Sequence, residues 1–226
     1  MDLNVEVEET EEESEEIKQK IETLRQRENP VNILVIGPTG SGKSTLINNM
    51  MGGNVARVSH SMESGQSLAQ VHEGEHKGIK IRVYDTVGFG NSESQVNSSI
   101  LNAQGNFNLV LLCIDINGRA NRNLRTILSD LKSNLHIELW KHLIVVLTHT
   151  NLYIDQQNKS VAEKKAAVEK RITEFKRRMY SLISSHVNRD TFDKIIFCTV
   201  GTRRDREIKP LLEENWLHSL WASCID

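Results

Sequence analysis

The chain has 226 residues, a formal net charge of −2 and 38% hydrophobic residues, enough for one domain with a substantial core and an appendage. The first sixteen residues carry nine acids and no base, so the remainder holds 28 bases against 21 acids, a balance too mild to argue for nucleic-acid binding. There is no apolar run of about 18 residues and no signal-peptide pattern, so membrane contact is expected only through a partner, a modification or a further segment, and three widely spaced cysteines read as reduced thiols of a cytoplasmic protein.

Residues 1–16 are acidic and poor in apolar side chains, a composition that reads as disordered. Ile17, Ile21 and Leu24 are spaced four and three apart, which predicts a short amphipathic helix over 17–29, ended by Pro30. Residues 1–29 are thus expected to form a tail and lead-in helix, 30–205 the main domain and 206–226 a C-terminal helix.

Residues 32–49 organise the chain. Ile33, Leu34, Val35 and Ile36 predict a buried strand. Gly37, Pro38, Thr39, Gly40, Ser41, Gly42, Lys43 and Ser44 match G-x-x-x-x-G-K-[ST], and Thr45 to Met50 continue as a helix. Phosphate binding gives that order its reason. The strand aims the loop, glycines let backbone N–H groups curl around the oxygens, and the helix adds its positive N-terminal end. Lys43 is expected to reach the β- and γ-phosphates of a nucleotide, and Ser44 to hold Mg²⁺.

Gly52 and Gly53 stop this helix, and residues 54–67 are polar and turn-rich. Residues 68–74 and 79–84 alternate as an antiparallel pair with a turn at Gly74–Gly78. The second strand ends in Asp85-Thr86-Val87-Gly88, placed so that Asp85 contacts Mg²⁺ and the Gly88 N–H senses a γ-phosphate. Residues 92–105 are polar and loop-like. Residues 107–116 and 142–148 are apolar runs typical of buried parallel strands, with a helix over 121–131 between them. A long basic helix over 160–185 has Val161, Val168, Ile172, Phe175 and Met179 as its inward stripe, and 194–200 form the last strand. Ile208, Leu211, Leu212, Leu217 and Trp221 lie at helical spacing across 206–222. Strands alternating with helices predict an α/β, three-layer P-loop fold with a mostly parallel sheet and one antiparallel edge strand.

The segments GPTGSGKSTLIN, DTVGFG, LVLLCIDINGRANRNLRTILSDL and HLIVVLTHT together resemble the avirulence-induced and immunity-associated (GIMAP) G domains, whose superfamily includes the Toc receptors of chloroplast import and, more distantly, septins. The resemblance covers about residues 31–202. It implies a small-GTPase-like G domain that binds GTP or GDP with Mg²⁺ and pairs face to face with a second copy across the nucleotide. Arg119, in the box ending Asn117-Gly118-Arg119, would then lie near the opposing phosphates; the plain alternative is a strand–helix turn cap. The chain departs from the family pattern in two places. Val87 stands where proline is usual. The switch threonine that ligates Mg²⁺ has its counterpart within Ser61-Met62-Glu63-Ser64, where Ser61 or Ser64 would substitute.

Guanine presents two N–H donors, usually read by [NT]-K-x-D after a buried strand. This chain has Thr148-His149-Thr150-Asn151, and the similar Toc and GIMAP proteins often carry Thr-His here. His149 is expected to cover the base in place of a lysine stem. Asn151 offers one carbonyl acceptor, which predicts modest guanine selection unless Asp155 helps. Gly201, after the last strand, stands where a backbone N–H meets guanine O6. Phe89 occupies the place of a water-orienting glutamine, so a monomer should hydrolyse slowly, with Lys43 and a partner's Arg119 stabilising the transferring phosphate. Three readings remain at this point: a GTP-controlled switch that dimerises through its nucleotide face, a non-hydrolysing GTP-binding scaffold, and an ATP-using enzyme supported by Asn151 alone.

Overall fold

The computed structural model describes residues 15–53, 70–86, 107–118, 121–134, 137–156, 160–201, 203–204, 207–208, 212 and 215–225. In chain order the elements are α1 (Glu15–Arg25), β1 (Val31–Ile36), α2 (Lys43–Met50), β2 (Gln70–His76), β3 (Ile79–Asp85), β4 (Leu109–Asp115), α3 (Asn121–Asn134), a 3₁₀ turn (Ile137–His142), β5 (Leu143–Thr148), α4 (Thr150–Asp155), α5 (Val161–Ile183), α6 (Arg189–Asp193), β6 (Ile196–Thr199), the short pair β7 (Arg203–Arg204) and β8 (Glu207–Ile208), and α7 (Trp216–Ile225).

The main sheet has the order β2-β3-β1-β4-β5-β6. β3, β1, β4, β5 and β6 run parallel, and β2 adds to the edge antiparallel to β3. This is the expected α/β architecture. β4 and β5 are buried almost throughout, because alternate residues face opposite layers and both layers are covered. Leu34, Ile36, Val110, Leu112, Ile114, Val145 and Leu147 pack on one side with α3, Trp140, the C-terminal half of α5 and Phe192 of α6. Ile33, Val35, Leu111, Cys113, Ile144 and Val146 face the other side, against α1, α2 and α7. Trp221 of α7 stacks on His76 of β2 at 4.0 Å between ring centroids.

Three expectations need correction. The hairpin turn is Lys77–Gly78, both with positive φ (49° and 78°), as a tight two-residue connection between twisted strands requires. Gly74 is a strand residue opposite Ile81, and a Cβ there would come within 2.5 Å of Met51 Cε. On α5, Val161 is exposed while Val168, Phe175, Met179 and Ile183 are buried. Val161 is the first helical residue, inside the Ser160–Glu163 capping box, and the buried stripe begins at Val168, about two turns further on. The C-terminal helix starts at Trp216; Ile208 lies in β8, and Leu212 has a φ of 51° that no α-helix accommodates.

Candidate nucleotide site

β1 lies between β3 and β4, so the loop after it opens where successive connections leave in opposite directions, the usual position for a ligand on a parallel sheet. The loop uses glycine for two separate reasons. Gly37 has a φ of 153°, and a Cβ there would lie 2.4 Å from the Cys113 carbonyl oxygen, so only a bare backbone fits beside β4. Gly40 and Gly42 also have positive φ, and Gly42 enters α2 with no side chain capping the first turn. The helix therefore offers its free N–H groups to the loop interior.

Lys43 is buried, and its ammonium donates to the carbonyls of Gly37 at 3.1 Å and Pro38 at 3.0 Å. Burial lowers its pKa, partly offset by Cys113 and Asp85. A desolvated cation whose hydrogen bonds among the described residues go to loop carbonyls gains from an anion bound against it. Next to it, Ser44 Oγ donates to Asp85 Oδ2 at 3.0 Å. Burial raises the Asp85 pKa, against the Ser44 hydrogen bond and the charges of Lys43 and His72. Asp85 Oδ1 is buried without a hydrogen-bond partner among the described residues. A hydroxyl and a carboxylate with an idle oxygen are the hard donors that suit Mg²⁺.

The base end is built by the turn after β5. Thr148 Oγ1 lies 2.8 Å from the Ser41 carbonyl oxygen and 3.2 Å from that of Ile114. Its single proton serves the shorter contact and ties β5 to the phosphate loop. His149 follows with a φ of 58°, a left-handed corner that turns the chain from β5 into α4. Gly42, Thr45, Leu46, Thr148, His149, Val200 and Gly201 line one recess beside the phosphate loop. Two of the residues singled out for base contact, His149 and Gly201, thus meet at one place with Thr45 of the phosphate-loop helix. Asn151 is half-buried in the first turn of α4 and does not line the recess. Val87, Gly88, Phe89, Arg119, Ser61 and Ser64 lie outside the described residues.

The loop after β4 joins the same neighbourhood. Asp115 Oδ1 is 3.4 Å from His149 Nδ1 and accepts from the Asn117 backbone N–H at 2.8 Å. Burial opposes ionisation of Asp115, but these contacts outweigh it and hold the carboxyl below the ordinary range. The Asn117 amide reaches the His149 carbonyl at 3.4 Å. From behind, Arg171 of α5 donates from Nε to the Ile116 carbonyl at 3.1 Å and from Nη2 to that of Gly118 at 3.3 Å. Sequence reading missed Asp115 and Arg171 and quoted Asn117 only as part of the box ending in Arg119. The available signal was Asp115 itself, an acid ending an apolar strand at the carboxyl edge of the sheet.

This fold and this cradle define a P-loop protein of the G-domain class. Residues 31–193 match the model of the AIG1 family, and the chain belongs to that family. Among its relatives, translocase of chloroplast 159 from Arabidopsis thaliana is 29% identical over 128 residues, covering 53% of this chain and 8% of the relative. GTP-binding protein A from Dictyostelium discoideum is 25% identical over 146 residues, covering 61% of this chain and 32% of the relative. The chain thus spans less than a third of the length of either. Toc33 from Arabidopsis thaliana, solved in complex with Mg²⁺ and GMPPNP, superposes with a TM-score of 0.73 at 20% identity, covering 94% of this chain and 90% of that one. A further structure with a TM-score of 0.74 at 20% identity, covering 94% and 88%, concerns the finding that dimerization is important for the GTPase activity of the chloroplast translocon components atToc33 and psToc159. Among the described residues, no helix is long and apolar enough to cross a membrane.

Proposed function

We propose that the protein is a guanine-nucleotide-binding switch that binds GTP or GDP with Mg²⁺ and hydrolyses GTP slowly, with hydrolysis promoted by nucleotide-dependent pairing of two copies through the nucleotide face. The observation that carries the reading is the cradle itself: a buried Lys43 within the loop, beside a Ser44–Asp85 pair at 3.0 Å. Lys43 would neutralise the β- and γ-phosphates, the α2 N–H groups would hold their oxygens, and Ser44 and Asp85 would hold the metal. Mg²⁺ held by Ser44 and Asp85 would supply positive charge against the phosphates. The recess around His149 and Gly201 would take the base.

Pairing is supported by Phe89, which cannot orient water, and by Arg119, which a second copy would bring to the transferring phosphate. Phe89 equally favours a second reading, a non-hydrolysing GTP-binding scaffold. Ser64 or Ser61 completes the metal set in either case. Three free cysteines support a reducing, cytoplasmic setting. Calorimetry with GDP, GTP and ATP, followed by single-turnover hydrolysis across a hundredfold range of protein concentration, tests the proposal. Turnover that rises with concentration supports the switch; tight GTP binding without turnover supports the scaffold; equal affinity for ATP overturns the guanine reading.

A further inference from the structure

The two nitrogens of His149 meet different surroundings. Nδ1 faces Asp115 Oδ1 at 3.4 Å and Thr148 Oγ1 at 3.5 Å. The Thr148 proton serves the Ser41 carbonyl at 2.8 Å, so the threonine oxygen turns a lone pair to the ring. Asp115 Oδ1 also accepts the Asn117 N–H, which holds that oxygen in place. Nδ1 therefore meets two acceptors, and the ring proton belongs on it. Nε2 lies on the other side, where it and Cε1 would each stand 3.6 Å from a Cβ added to Gly42. Gly42 and His149 line the same recess. The nitrogen turned toward that recess is thus the one carrying a lone pair.

We infer that Asp115 is a specificity-determining positioning residue, which fixes His149 in the Nδ1–H form so that Nε2 presents a neutral acceptor to an N–H donor on the edge of the bound base. This deepens the guanine-nucleotide reading and rests on it. His149 then meets the base at its edge and does not cover its face. It supplies an acceptor that the single carbonyl of Asn151 lacks, in a site with no lysine stem. Guanine offers adjacent N1–H and N2–H donors, whereas adenine has an acceptor at N1 and only a C–H at C2, so an acceptor facing these two positions rewards guanine. Asp115 does this through the imidazole and need not touch the nucleotide.

The test is a ¹⁵N-resolved imidazole spectrum of His149 in the intact chain at pH 8, with titrations of GDP and ADP into wild type, Asp115→Asn and Asp115→Glu. Wild type should show the proton on Nδ1. In Asp115→Asn the side chain loses the charge that favours the proton on Nδ1, so the proton should shift toward Nε2. The affinity for GDP should then fall about tenfold, the effect of one lost hydrogen bond at its upper end, with that for ADP little changed. Asp115→Glu should keep the Nδ1 proton and most of the GDP preference. A wild-type ring protonated on Nε2 overturns the inference, even if Asp115→Asn fails to fold. So does an unchanged GDP-to-ADP ratio in a folded Asp115→Asn. Wild type binding GDP and ADP equally would instead defeat the guanine reading beneath it.

Discussion

Ser44 Oγ and Asp85 Oδ2 lie 3.0 Å apart although 41 residues separate them in sequence. The contact joins the first turn of α2 to the end of β3, and it exists because β1 and β3 are parallel neighbours that finish at the same edge. Two oxygen donors from different strand–loop units are in this way brought together beside Lys43.

Acid should weaken the metal site early. Burial lifts the Asp85 pKa above its ordinary 3.8, so the folded chain holds that proton to a higher pH than the unfolded chain. The stability this proton confers is present at low pH and is lost as pH rises through the raised value. Mg²⁺ needs the ionised form and competes with the proton. Mg²⁺ affinity in the presence of GDP should therefore fall on acidification, starting above pH 3.8 and approaching tenfold per pH unit below the raised pKa. Asp85→Asn should bind Mg²⁺ weakly and without that slope; calorimetry at stepped pH reads both.

Lys43→Ala should lower nucleotide affinity by about a hundredfold or more, since a desolvated charge on phosphate contributes several kcal/mol. The fold should persist. Lys43 is buried with a pKa lowered first by desolvation, so its removal relieves that cost and offsets the two carbonyl contacts it loses. Calorimetry and a thermal melt check the pair of outcomes.

Thr148→Val keeps the shape of the side chain but leaves the Ser41 carbonyl without its donor at 2.8 Å. The expected cost is about 1–3 kcal/mol of stability, read from urea unfolding. Affinity for GDP should fall as well, because the hydroxyl is the tie between the phosphate loop and the base-side turn.

Asn151→Asp should sharpen guanine over adenine if the α4 turn moves toward the recess when a base is bound, since a carboxylate accepts both guanine donors. Competition of GTP and ATP against a fluorescent guanine nucleotide measures it. An unchanged ratio would mean that Asn151 stays outside the recess.

Arg119→Ala should flatten the rise of specific activity with protein concentration by at least tenfold, well within the ~10³–10⁵ that a trans arginine contributes elsewhere. Light scattering should find stronger self-association with a triphosphate analogue than with GDP. Concentration-independent turnover in the wild type would leave Arg119 as a turn cap.

The phosphate loop and the central strands were legible because their signals are local. A motif of eight residues fixes the cradle, and apolar runs such as 107–116 have the length and composition of buried parallel strands. Edges were harder. Val161 has the right spacing but sits in a first turn with no core beneath it. Leu212 fits a helical pattern but occupies a left-handed corner. α4 and α6, of six and five residues, are too short to show a period. The contacts that matter most at the base end were illegible for another reason. Thr148 and Ser41 are 107 residues apart, and only the register of β1, β4 and β5 brings them together. Asp115 and His149 meet for the same reason, since β4 and β5 end in step with Asp115 opposite Thr148.

The grip of Arg171 on Ile116 and Gly118 has a mechanical meaning. Their carbonyls leave β4, yet they are held by a guanidinium on α5. That helix has 23 residues and is about 35 Å long, with Arg171 near its middle. Any tilt of the helix at Arg171 would act on these two carbonyls directly. The two carbonyls are therefore placed from the outer layer of the molecule as well as from the sheet, so a side chain on α5 sets where the chain leaves β4.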